Sequence, residues 1–102
     1  MTMLHTVNKS PFERNTLTSC ISMAQSGSAV LLIEDGIFAS LKGTSVSDKV
    51  SKAMGSISFY VLGPDLNARG MTEDQLIDGI KVVDYEGFVD LTAEHDNVQA
   101  WL

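Results

Sequence analysis

Ala29-Val30-Leu31-Leu32-Ile33, followed at once by Glu34-Asp35-Gly36, is the stretch whose reading decides the fold. The run does not alternate apolar with polar residues. A strand that is apolar on both faces belongs in the middle of a parallel sheet, where helices cover both sides. Working outward, three more short runs rich in β-branched and aromatic residues read as strands: Leu4 to Val7, Ile57 to Leu62 and Ile80 to Val83. Helix-like stretches separate them, which gives an α/β rhythm around a mostly parallel sheet. No internal repeat, charge block or low-complexity segment interrupts that rhythm.

Between the first two strands, Ser10-Pro11-Phe12-Glu13 has the form of a capping box, with Pro at the first helical position and Glu at the third. A helix is predicted to follow directly. Leu17, Cys20, Ile21 and Ala24 recur at helical spacing, and Gly27 offers a stop. At about 100° per residue, Cys20 falls about 50° to one side of the stripe centred on Leu17, Ile21 and Ala24. That places it on the flank, where it can face core or interface.

Acidic and turn residues recur after each later strand: Glu34-Asp35-Gly36, Gly63-Pro64-Asp65 and Asp84-Tyr85-Glu86-Gly87. They mark the carboxyl edge of the sheet, where open parallel sheets bind ligands. The simpler reading is structural, because Asp and Glu cap the backbone N–H groups of helices that follow strands.

Length and charge narrow the function. At 102 residues the chain is expected to be one domain spanning 1–102, with room for one core and none for a separate substrate domain. Thirteen acidic residues against seven basic ones leave no stripe to neutralise phosphates or dock on anionic lipid. Direct nucleic-acid binding and membrane docking are therefore not expected. A single cysteine, Cys20, forms no internal disulfide, and the only histidines, His5 and His95, do not cluster with it as metal ligands. The amino terminus has no basic segment followed by a long apolar run, and a cytoplasmic location is expected.

Several chemistries lack their residues. No Gly-rich phosphate cradle, no G-x-S-x-G elbow and no receiver-type set of strand-end carboxylates with Thr and Lys is present, and no cofactor is expected. His5, on the first strand, reads as buried and hydrogen-bonded, and His95 as structural. Cys20 reads either as a small buried apolar residue or as a thiol whose reactivity must come from the fold or a partner, since no adjacent cation lowers its pKa. Trp101 is expected to dock, either on the chain's own sheet or on a partner.

At whole-chain scale the sequence resembles the DsrH/TusB family. The resemblance rests on Met3-Leu4-His5-Thr6-Val7 followed by Lys9-Ser10-Pro11, on Leu32-Ile33-Glu34-Asp35-Gly36-Ile37, on Tyr60-Val61-Leu62-Gly63-Pro64-Asp65-Leu66-Asn67-Ala68-Arg69-Gly70, on Val83-Asp84-Tyr85-Glu86-Gly87-Phe88-Val89 and on Gln99-Ala100-Trp101. Met1-Thr2 stands ahead of the family's usual Met-Leu-His start. The resemblance implies a flavodoxin-like, three-layer α/β domain with a sheet of four or five strands, of the DsrE/DsrF-like superfamily. It also implies a subunit of a cytoplasmic sulfurtransferase relay, not an enzyme on its own, with DsrE-like and DsrF-like partners in a heterohexamer and a DsrC/TusE-like acceptor. Cys20 and the opening Thr6 to Asn15 look DsrH-like, which points to intracellular sulfur oxidation. The alternatives are a TusB-like subunit of the relay for tRNA 2-thiouridine formation, and a non-catalytic binding or regulatory module. Cys20 is the candidate persulfide carrier, although the superfamily's better-known sulfur-accepting cysteine belongs to the DsrE-like or TusD-like subunit.

Overall fold

The structure, a computed structural model, describes residues 3–101; Met1, Thr2 and Leu102 lie outside it. Its centre is a parallel sheet of five strands, β1 (Met3–Val7), β2 (Ala29–Leu32), β3 (Ser58–Leu62), β4 (Lys81–Val83) and β5 (Asn97–Trp101), in the order β4-β3-β2-β1-β5. As the unbroken apolar run requires, β2 lies in the middle, and all four of its residues are buried. The four strands read from the sequence are present. The fifth, β5, pairs with β1 over its whole length and brings Trp101 level with Val7. Trp101 thus docks on the chain's own sheet.

The connections explain the layers. Helix α1 (Thr16–Met23), helix α2 (Ser47–Ala53) and helix α3 (Gly63–Ala68) join neighbouring strands on one face, where Leu17, Cys20, Val50 and Leu66 pack against Val7, Val30, Leu32, Phe59 and Val61. After β4 the chain must cross the sheet to reach β5, and helix α4 (Tyr85–Glu94) makes that crossing on the other face. There the core is much smaller, with Leu4, Ala29, Leu31 and Leu91 at its centre and Ile33, Tyr60, Val83 and Phe88 around it.

Two local expectations are corrected. Ser10 does not start a helix: residues 11–13 form a turn in which the Ser10 hydroxyl accepts the Phe12 N–H, and α1 begins only at Thr16. The intervening Glu13-Arg14-Asn15 has no apolar residue to bury, so nothing holds it in helix. At the other end α1 stops at Met23, before Gly27, which takes φ 91° in the following turn. The second correction concerns Cys20. It is fully buried beside Leu17, while Ile21 is only half-buried, so the buried stripe is centred between Leu17 and Cys20 and the thiol is not on its flank.

Gly36 fixes how the chain leaves β2. A Cβ there would lie 2.1 Å from the Val7 carbonyl oxygen, so only glycine lets the 3-10 segment Glu34–Ser40 run this close to the end of β1.

Candidate functional site

Cys20, the thiol singled out by the sequence, is the fifth residue of the eight in α1 and lies within the larger core. Burial pushes it up to about 12, so the thiolate is scarce at neutral pH. The position is remote from the helix N-terminus, whose dipole would have favoured the thiolate. What the arrangement does well is fill space between helix and sheet.

The acidic rim at the carboxyl edge is largely committed to structure. Asp84 is the N-cap of α4, its carboxylate accepting the Gly87 N–H at 2.8 Å. Asp65, in the first turn of α3, reaches across to accept the Glu34 N–H at 2.7 Å. Glu34 has φ 50°, a left-handed conformation that is unfavourable for a side-chain-bearing residue, and this charged hydrogen bond holds it there. Asp35 pairs with Arg69 at 3.0 Å, and Arg69 also donates to the Asp65 carbonyl. The Glu34-Asp35-Gly36 turn and the segment from Asp65 to Arg69 therefore form one clasp between the ends of β2 and β3. Capping accounts for Asp84, as expected from sequence, whereas the cross-strand pairing at Asp35 and Asp65 was missed. For Asp35 the available signal is the opposite charge of Arg69 just past α3; for Asp65, whose partner is a backbone N–H, the sequence carries none. Beside the clasp, an open groove of about 510 Å³ is lined by Gly63, Pro64, Asn67, Val82 and Val83.

Both histidines have structural partners. His95 Nδ1–H donates to the Leu91 carbonyl at the end of α4. His5, 3% exposed, accepts a hydrogen bond from the Trp101 indole N–H at its Nδ1, 3.0 Å away. Burial lowers its pKa and favours the neutral ring that this bond needs. Sequence reading foresaw a buried His5 but not its partner 96 residues away. A cavity of about 230 Å³ opens beside this pair, between the C-terminal end of α1 and the β1/β5 strands. Among the described residues no group of three or more His, Cys, Asp and Glu side chains is placed to hold a metal, and no helix is long and apolar enough to cross a membrane.

The outward side of α4 is the remaining feature. Tyr85 and Val89, one turn apart, are 61% and 64% exposed. On β5, Val98 is level with Leu4 and so faces the same side of the sheet as α4; it too is exposed. This face has one covering helix, and that helix carries apolar residues outward.

Comparison with known proteins completes the description. Residues 9–98 match the family described as DsrH like protein. The chain is 40% identical over 100 residues to Protein TusB of Pectobacterium parmentieri and 34% identical over 99 residues to Protein TusB of Escherichia coli, in both cases covering 97% of this chain and all of the relative. Among solved structures it is similar in fold to the ychN protein of E. coli, with TM-score 0.87 at 16% identity over 98% of each chain. It is likewise similar to MTH1491 of Methanobacterium thermoautotrophicum, with TM-score 0.74 at 18% identity over 96% of this chain and 97% of that one.

Proposed function

This chain belongs to the DsrH/TusB family, and from that premise we propose that it is a non-autonomous subunit of a sulfur-relay complex serving 2-thiouridine formation in tRNA. The observation that carries the pathway is the end-to-end likeness to relatives named TusB. The sequence alone points, through Cys20 and the stretch from Thr6 to Asn15, to the sulfur-oxidation branch. A cysteine packed in the core is a poor discriminator between branches, and the named relatives support the tRNA branch, held until now as the alternative.

In a relay of this kind a carrier thiolate attacks the terminal sulfur of a donor persulfide. The donor's S–S bond breaks, a new one forms on the carrier, and the donor leaves as a thiolate. Cys20 is poorly suited to either side of that exchange. The carrier cysteine then belongs to a DsrE-like or TusD-like partner, and this chain is a scaffold whose binding face is the outward side of α4 and β5. Contact with tRNA is indirect, because the net charge of −6 opposes a polyanion.

Co-expression with DsrE-like and DsrF-like chains from the same source, followed by light scattering, tests this. One discrete hetero-oligomer is expected, and Tyr85→Asp combined with Val89→Asp should release a folded monomer. A wild-type chain that stays monomeric beside both candidates would contradict the proposal.

A further inference from the structure

The cavity between α1 and β5 has polar groups at its floor that the protein itself leaves unused. His5 and Ser28 are each 3% exposed, and both line it. The His5 Nδ1 accepts from Trp101, so the proton of the neutral ring sits on Nε2. Among the described residues neither this Nε2–H nor the Ser28 hydroxyl has a hydrogen-bond partner. Among the described residues the one unpartnered side-chain polar atom sealed from accessible space is Asn8 Oδ1, so both of these groups reach the open volume of the cavity. Both groups thus face the cavity from residues that are otherwise nine-tenths buried, where they are placed to bond a guest.

We propose that this cavity is a binding site for an uncharged, planar ring bearing a hydrogen-bond acceptor. The volume of about 230 Å³ exceeds the roughly 150 Å³ void that accepts benzene, and so accommodates a substituted six-membered ring. The walls suit such a ring. Trp101 offers an aromatic surface, and the Met3 and Met23 thioethers make favourable sulfur contacts with aromatic edges. The exposed amides of Gln25 and Gln99 stand at the mouth.

The same residues argue against other occupants. Among the described residues no Lys, Arg, Asp or Glu lines the cavity, and its described walls offer no charge to neutralise a charged ligand. A soft metal ion would look to the His5 and Met side chains. It would need the Nε2 lone pair, however, and that nitrogen holds the ring proton while Nδ1 serves Trp101.

Nicotinamide is a suitable probe, with nicotinate as its charged counterpart and toluene as a ring without an acceptor. Titration of the full chain is followed by the indole N–H signal of Trp101, the only tryptophan, and by the backbone amide of Ser28 in proton–nitrogen correlation spectra. Nicotinamide is expected to shift both signals along one saturating curve, with nicotinate and toluene at least about tenfold weaker. His5→Gln removes the partner of the Trp101 indole, so Ser28→Ala is the gentler variant, and it should weaken nicotinamide several-fold while leaving the spectrum otherwise folded. Toluene binding as tightly as nicotinamide would reduce the site to an apolar void. No saturable shift with any of the three, or movement of these signals only on adding a partner chain, would overturn the proposal in favour of trapped water or an interface.

Discussion

Cys20 and His5 face the same side of the sheet, and burial acts on both by disfavouring charge. For Cys20 the thiol at about 12 leaves about one thiolate in ten thousand at pH 8, so the native chain should react with an aromatic disulfide reagent only at the rate of unfolding. Cys20→Ala should leave sulfur relay unchanged and cost about 1 kcal/mol, the loss of one small buried group. Rapid native labelling, or loss of relay in the alanine variant, would restore Cys20 as a carrier. For His5 the sign follows from linkage. Burial holds its folded pKa below the unfolded value of 6.5, so the stability linked to the neutral ring is fully present above about pH 6.5 and is lost as pH drops through the folded pKa. Tryptophan fluorescence and the urea midpoint should therefore change together below pH 6.5. The change should vanish in His5→Asn and persist in His95→Asn, and a transition that survives His5→Asn would assign it elsewhere.

At the level of elements, the clasp between the ends of β2 and β3 separates a strong contact from a weak one. Asp65 holds the N–H of a residue in left-handed backbone, so Asp65→Ala should cost about 1–2 kcal/mol in denaturant unfolding. Asp35 is a surface partner of Arg69, more than half exposed, and Asp35→Ala should cost less than about 0.5 kcal/mol. Equal losses would mean that the ion pair, not the backbone bond, holds the clasp. The same scale shows what the sequence made legible. β1 to β4 were readable because each is a short run rich in β-branched or aromatic residues bounded by turn residues, although only β2 is apolar and buried throughout. β5 was not, since an edge strand paired only with β1 can be exposed along Asn97 to Ala100 and still be held by its ladder and by Trp101. Ser10 misled because a hydroxyl that accepts an N–H serves a turn as readily as a helix start. The stripe on α1 was found but its centre was not, because rotation about the helix axis is set by the sheet beneath, which includes Val7 and Val30.

Over the whole molecule the asymmetry between the two sheet faces is the fact with the widest reach. Three helices seal one face and a single helix, whose outer side mixes Tyr85 and Val89 with Glu86, Asp90 and Glu94, covers the other. A chain of 102 residues has little further core to build, which is why the proposed scaffold role puts the partner surface on this face. The relay proposed for those partners is the one that thiolates tRNA, on the strength of the relatives named TusB. The most direct test is the 2-thiouridine content of tRNA, measured by mass spectrometry of nucleosides from cells lacking this chain and from the same cells complemented. Loss of 2-thiouridine is expected on deletion, with full return on complementation by the wild type or by Cys20→Ala, and little return with the Tyr85→Asp, Val89→Asp double variant. Unchanged 2-thiouridine in the deletion strain would contradict the account.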